Sequence, residues 1–143
     1  MDIEQGAVRV IQVFLLESQF KRSNQLTYGE KDPIAVEIDL DQKVDTTNKR
    51  MAIEIFVTAS ITKEGVKEVE ASIRMVGLFE YNDLPEKMLE EFPRINAPAI
   101  VFPFVREHLM SMTLKAGINP IVLAPVNFVQ LSKRIEEAHV KAP

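Results

Sequence analysis

The chain has 143 residues, of which 46% are hydrophobic and 27% charged, with a formal net charge of −4 and no cysteine. This length suits one domain over residues 1–143, while the acidic balance argues against nucleic acid as a partner and the lack of cysteine excludes disulfides and thiolate metal sites. No apolar run reaches the roughly 20 residues of a membrane span, and the N-terminus lacks a basic signal region, so we expect a cytoplasmic protein without membrane insertion.

The first predicted element is a strand from Val8 to Phe20. Its residues are β-branched, aromatic or aliphatic on both alternating faces, which is typical of a strand covered on both sides. The next segment, 21–33, is rich in Ser, Asn, Gly and an Asp-Pro pair, the composition of a long loop. A loop of this length is a candidate functional segment.

Three further strands follow from an alternation of apolar and polar residues. They are predicted at Ile34 to Leu40, Met51 to Ile61 and Val66 to Tyr81, with a hairpin turn at 63–65. Together with the first strand they form a four-stranded, mainly antiparallel sheet. On the polar face of these three strands Arg74 opposes six carboxylates, which predicts an acidic surface that is either a docking site or merely solvated: Glu37, Asp39, Asp41, Glu54, Glu68 and Glu70.

Helices are predicted after the sheet. A short helix fits residues 86–92, and a long one opens at 96–98 and runs toward Lys115, with Gly117 as its stop. The apolar stripe of the long helix is wider than one sheet contact requires, which predicts a second buried contact with another subunit. The residues assigned to this oligomer interface are Val101, Val105, Leu109 and Met112.

A last helix is predicted after an apolar connection at 120–125. Asn127 followed by Gln130 resembles a capping box at its start. The helix is amphipathic, since its apolar residues recur on one side: Phe128, Leu131, Ile135 and Ala138.

The sequence contains no motif of a catalytic or metal site. There is no phosphate-binding glycine loop, no Gly-x-Ser-x-Gly elbow and no His-Glu-x-x-His spacing. His108 and His139 lack an Asp or Ser at suggestive spacing, and the adjacent glutamates at 90–91 and 136–137 diverge by about 100° on a helix. We therefore predict that the protein is no enzyme and has no cofactor and no metal.

Two motifs in the second half of the chain resemble the SecB protein-export chaperone family. The sequence FPFVRE at 102–107 matches the family's Phe-Pro-aromatic-x-Arg-Glu helix, and LAPVNF at 123–128 matches its Leu-x-Pro-Val-Asn-Phe segment. VEIDLD at 36–41 and VGLF at 76–79 also agree with the family. The two C-terminal motifs have the family's order and spacing, and the resemblance spans nearly the whole chain.

The resemblance implies an α+β subunit with its long helices packed on one face of the antiparallel sheet. Subunits of this family assemble as a dimer of dimers, which implies a homotetramer. The implied function is that of an ATP-independent holdase, which binds unfolded or nascent polypeptides, such as preproteins for export, in apolar grooves. Mapped onto this sequence, the client groove would be lined by Phe20, Leu26, Tyr28, Ile34, Phe128, Leu131 and Ile135.

The resemblance also implies that the export motor ATPase SecA docks on the acidic outer face of the sheet. The residues assigned to this docking face are Glu17, Glu54, Glu68 and Glu70. Lys21 and Ser72 stand where the family is usually acidic, and the sequence ends without the long acidic tail of many export chaperones. These departures resemble SecB-like chaperones that serve one dedicated client, such as the antitoxin of a toxin–antitoxin pair.

Two other interpretations stay open at this point. A small-ligand protein or enzyme that reuses the fold would have His108 beside Glu107 as its only chemical group of interest. A purely structural oligomer would use the same apolar loop residues as an interface, and it would bind no unfolded protein.

Overall fold

The computed structural model describes residues 7–24 and 33–141, with side chains up to residue 138, and it has the predicted α+β architecture. Four strands form one antiparallel sheet, and the helices follow it in the chain. In the described ranges no helix is long and apolar enough to cross a membrane. The elements are β1 (Val8–Arg22), β2 (Ile34–Asp45), β3 (Arg50–Lys63), β4 (Val66–Tyr81), α1 (Glu86–Glu91), a π-helical segment (Phe92–Asn96), α2 (Ala97–Lys115) and α3 (Phe128–Lys141).

The strand order decides which parts of the sheet are central. The order is β1-β4-β3-β2, so the first two strands of the chain occupy opposite edges. With a spacing of about 4.8 Å between neighbouring strands, these edges are about 14 Å apart. β1 and β2 are thus consecutive in the chain but are not neighbours in the sheet.

The core lies between the two central strands and α2. The helix-facing residues of β3, from Met51 to Ile61, are at most 3% exposed, which confirms the predicted alternation. Phe79 of β4 is fully buried and contacts Phe92 edge to face, with ring centroids 5.5 Å apart. The sheet face and one side of α2 thus form a single apolar layer.

The residues predicted for the oligomer interface on α2 need correction. Val101, Val105 and Leu109 are 0% exposed in the single subunit, so these side chains leave no surface for a partner. Only Met112 remains partly exposed, with its sulfur 3.2 Å from the Ser18 hydroxyl of β1. The stripe showed that α2 is apolar on more than one side, but not which side faces its own sheet. The large apolar residues of α2 that stay exposed are Ile100, Phe104, Met110 and Leu114.

The prediction that β1 is covered on both sides is wrong for the isolated subunit. β1 is an edge strand with register shifts at 10–12 and 15–17, where it bulges against β4. Its large apolar side chains near these bulges are 42–54% exposed: Val10, Ile11, Leu15 and Leu16.

The predicted helix ends and hairpin turn are confirmed. Gly117 has a φ of +72°, its N–H donates to the carbonyl of Leu114 at 3.1 Å, and the next N–H donates to Thr113 at 3.2 Å. These two bonds form a Schellman motif, which ends α2.

The start of α3 and the β3–β4 turn also follow the prediction. The Asn127 Oδ1 accepts the Gln130 N–H at 3.1 Å and caps α3. Residues 64 and 65 both have positive φ, as a two-residue hairpin turn requires.

The turn between β2 and β3 is held by Asp45. The Asn48 side chain and the backbone N–H groups of Thr47 and Asn48 all donate to its carboxylate. Hydrogen bonds to the charged form, chiefly from the Asn48 side chain, lower the pKa of Asp45.

Gly77 lets α2 approach the sheet closely, because a Cβ atom at this position would lie 2.5 Å from Val101 Cγ2. We expect Gly77→Ala to reduce the free energy of unfolding by about 1–3 kcal/mol through overpacking, measured by denaturant unfolding. In the double variant Gly77→Ala with Val101→Ala, the new methyl group enters the space that the valine side chain vacates. The free energy of unfolding of the double variant should therefore fall by less than the sum of the losses in the two single variants. Simple additivity of the two costs would contradict this account of Gly77.

Candidate functional site

An apolar groove runs along the edge strand β2, between this strand and the chain that leads into α3. Three adjoining cavities of about 330, 580 and 200 Å³ form it. Val36 and Ile38 line the first two cavities, and Ile135 lines the last two, so the cavities are continuous. We call this feature the β2–α3 groove.

The first wall of the groove is the helix-facing side of β2. Because side chains alternate along a strand, every second residue points into the groove, from Ile34 through Val36 and Ile38 to Leu40. Among the described residues β2 has no further strand beyond it, and Ile34 is 43% and Val36 39% exposed. The wall is therefore apolar and open to solvent.

The second wall is the extended connection between α2 and α3. Ile121 and Leu123 point into the core and are 2% and 4% exposed, whereas Val122 between them is 57% exposed and lines the groove. The fully buried Thr113 side chain fixes this connection to α2. Its hydroxyl accepts the Ile121 N–H at 3.1 Å and donates to the carbonyl of Met110 at 2.9 Å.

An aromatic pair lies at the base of the groove. The rings of Phe102 and Phe128 pack edge to face with centroids 5.7 Å apart. Phe102 lines the first cavity, and Phe128 is only 6% exposed. The pair joins the start of α3 to α2 and supports both walls.

The structure brings together some of the residues predicted to bind a client. Ile34, Leu131 and Ile135 line the β2–α3 groove, although Leu131 is 8% exposed, and the buried Phe128 lies at its base. Phe20 is half-buried on β1, at the opposite edge of the sheet. Leu26 and Tyr28 lie outside the described residues.

Sequence reasoning missed three exposed or half-exposed valines of the groove: Val36, Val122 and Val126. For Val36, the alternation of β2 already showed the correct face. For Val122, the only signal was an apolar run between Pro120 and Pro125, which does not show which of its side chains point outward.

The outer face of the sheet is less acidic around Arg74 than its sequence indicated. Arg74 pairs with Glu54 at 2.9 Å and with Glu17 at 3.9 Å, and its guanidinium lies 3.9 Å from the centre of the Phe56 ring. Glu70 pairs with Lys67 at 3.6 Å.

Other charges on this face divide it into two parts. Lys21 of β1 stands opposite Glu70 in the strand register, which adds a cation to the β1–β4 side. Glu68 has one buried carboxylate oxygen that accepts no hydrogen bond from a described residue. On β2, by contrast, the exposed Glu37, Asp39 and Asp41 form no ion pair with described residues. The unneutralised acids thus lie along β2.

The histidine that sequence analysis kept open has no catalytic surroundings in the described ranges. His108 Nε2 is 2.9 Å from the Ser18 hydroxyl, and no carboxylate among the described residues hydrogen-bonds to this ring. The same ranges contain no group of three or more His, Asp or Glu side chains that could hold a metal ion. The His139 side chain is not among those described.

The sequence profile of the family described as preprotein translocase subunit SecB matches residues 3–138. The chain belongs to the SecB family. It is therefore a chaperone of the protein-export class. The members of this family are binding proteins rather than enzymes.

Individual relatives agree with this assignment. The protein-export protein SecB of Burkholderia lata is 28% identical over 134 residues, which covers 91% of this chain and 83% of that protein. The protein of the same name from Aromatoleum aromaticum is 31% identical over 105 residues, or 62% of this chain and 66% of that protein.

A solved structure shows the same fold. The Mycobacterium tuberculosis SecB-like chaperone Rv1957, in complex with a ChAD peptide from the HigA1 antitoxin Rv1956, superposes with a TM-score of 0.73. The match covers 85% of this chain and 92% of that chain at 16% identity.

Removing the acceptor at Thr113 should loosen the wall that carries Val122. Thr113→Val keeps the shape but leaves the buried Ile121 N–H unpaired, so we expect a loss of about 1–3 kcal/mol in the free energy of unfolding. Hydrogen exchange of the Ile121 amide should become faster in this variant. Thr113→Ser retains the hydroxyl and is the matched control; equal exchange rates in both variants would show that the hydrogen bond does not fix the wall.

Proposed function

We propose that this SecB-family protein is an ATP-independent holdase, which acts in the cytoplasm and binds unfolded or nascent polypeptides, including preproteins for export. The observation that carries the proposal is the β2–α3 groove, where both walls expose apolar side chains that the described part of the subunit leaves uncovered. Client segments would lie in this groove and would be kept from aggregating.

The dimensions of the groove suit an extended polypeptide. Its β2 wall runs from Ile34 to Gln42, which at about 3.3 Å per residue spans about 26 Å, enough for about eight extended client residues. Each large apolar client side chain that becomes fully buried would contribute about 1.5–3 kcal/mol. Such burial requires little of the client sequence, which fits a chaperone with many clients.

Assembly into a homotetramer is supported by the apolar surface away from the groove. The exposed stripe of α2, which includes Phe104 and Leu114, lies on the side of the helix that its own sheet does not use. β1 adds exposed apolar residues such as Leu16, and the Ser18–His108 contact joins this strand to α2. Several grooves on one particle would raise the strength of client binding through avidity.

A charge in the groove should abolish binding of unfolded protein. We expect Val122→Asp to lose suppression of the aggregation of a chemically denatured, unrelated protein diluted into buffer without ATP, because the carboxylate opposes burial of apolar client side chains. Turbidity measures suppression, and light scattering should give a mass of four chains plus client for the unmodified protein.

Val66→Asp is the matched control for this experiment. Val66 has the same side chain and a similar exposure, 60% against 57% for Val122, but it lies at the β3–β4 hairpin outside the groove. This variant should suppress aggregation like the unmodified protein. If both variants suppress normally, the groove is not the client site; if the unmodified protein never suppresses aggregation, the general holdase proposal fails.

A second candidate is a chaperone dedicated to one client, such as an antitoxin. It is favoured by the cation Lys21 on the outer face and by the antitoxin peptide bound to the M. tuberculosis neighbour. An export role predicts binding to SecA, whose docking would involve Glu17, Glu54, Glu68 and Glu70.

Binding to SecA separates the two candidates and can be measured by calorimetry. If the outer face is a weakened SecA site, Lys21→Glu should tighten SecA binding, with Lys43→Glu on β2 as the control. No SecA binding by the protein or by Lys21→Glu would favour the dedicated chaperone.

A further inference from the structure

Arg94 joins the base of the helical layer to α3. It lies in the π-helical segment, whose Phe92 and Pro93 are buried and give it a fixed position. Its Nε donates to the carbonyl of Glu90 at 3.2 Å, while Nη1 donates to the Ser132 hydroxyl at 3.3 Å and to the Glu136 carboxylate at 2.6 Å. Ser132 and Glu136 are four residues apart, so both acceptors lie on the same side of α3.

The apolar contacts of α3 are concentrated near its start. Phe128 and Leu131 are buried, Ile135 is half-buried, and the described positions after it are exposed. Among the described residues, the side-chain hydrogen bonds and the ion pair that connect α3 to other elements all go to Arg94. The Arg94 contacts, together with half-buried Ile135, are therefore what joins the second half of the described helix to the rest of the subunit.

Arg94 also lies at one end of the groove, where α3 faces β2. Together with Leu40 and Gln42 of β2 and Ile135 of α3, it lines the 200 Å³ end of the groove. The adjoining 580 Å³ cavity opens between Val36 of β2 and the α3 side chains. A shift of α3 about its start would change the width of this cavity directly.

We propose that Arg94 is a positioning residue that sets the distance between α3 and β2. This distance selects client segments by the size of the apolar side chains that fit into the groove. The selection of segments rests on the proposed holdase function; the positioning of α3 does not. The Arg94 side chain is 22% exposed and that of Glu136 is 58% exposed, so water and salt weaken the pair. A bulky client can therefore displace α3 at a small cost in free energy.

The position of α3 can be measured without a client. Because the chain has no cysteine, two spin labels can be placed by Glu37→Cys and Arg134→Cys on β2 and α3, the strand and the helix that border the 580 Å³ cavity. The label at Glu37 points to the outer face of β2, opposite the groove-facing side chains of this strand. Mixing labelled with excess unlabelled chains isolates the distance within one subunit. In Arg94→Met, and in the folding-tolerant surface variant Glu136→Gln, we expect this distance distribution to broaden and shift to longer values.

Restoration of the pair provides the decisive comparison. The charge swap Arg94→Glu with Glu136→Arg should return the distance distribution toward that of the parent. Lys87→Met is the control, since it removes the exposed Lys87–Glu91 pair on α1 and should leave the distribution unchanged. An unchanged distribution in both Arg94→Met and Glu136→Gln, or a swap that restores nothing, would overturn the positioning role.

Client selection is tested with two peptides of equal length and charge that carry either Leu or Trp at their apolar positions. In Arg94→Met and in Glu136→Gln, which lack the Arg94–Glu136 ion pair, the ratio of Trp-peptide to Leu-peptide affinity should rise by about fivefold, the factor that corresponds to ~1 kcal/mol. An unchanged ratio of the two peptide affinities in a variant whose α3 has moved would overturn the proposed selection by side-chain size. If neither peptide binds any variant while the distances shift as expected, the holdase proposal fails and the positioning role stands.

Discussion

One long helix covers the face of a four-stranded sheet, and the rest of the molecule follows from the difference in their widths. Four strands at a spacing of about 4.8 Å present a face roughly 15–20 Å across, whereas a helix with its side chains is about 10–12 Å wide. α2 therefore buries the central strands completely, with Val101, Val105 and Leu109 against the inner faces of β3 and β4. The edge strands β1 and β2 remain only partly covered.

The uncovered edges serve the two requirements of the proposed chaperone. At β2, the connection around Val122 and the helix α3 approach without closing, and this leaves the groove for client segments. At β1, the exposed side chains continue toward the free side of α2, a surface suited to other subunits. An additional covering helix at either edge would make the subunit more stable in isolation, but it would remove one of these surfaces.

Several polar groups have structural or electrostatic roles in this arrangement. Thr113 and Arg94 connect the two parts of the groove wall to the central helical layer. On the outer face, Arg74 pairs with Glu17 and Glu54, while Glu37, Asp39 and Asp41 of β2 form no ion pair with described residues. These acids lie on the strand that also forms one wall of the groove, where they would attract cationic client residues.

The sequence alone determined the features that depend on neighbouring residues. The alternation in β2, β3 and β4, the stop at Gly117, the cap at Asn127 and the family motifs at 102–107 and 123–128 could all be read correctly, because each is fixed within a few positions of the chain. Only the tertiary structure decided which side of α2 meets the sheet, that Phe20 and Ile34 lie on opposite edges, and that Arg94 meets Glu136, 42 residues away. These contacts follow from strand order and helix rotation, which depend on packing the whole chain at once and leave no local pattern in the sequence.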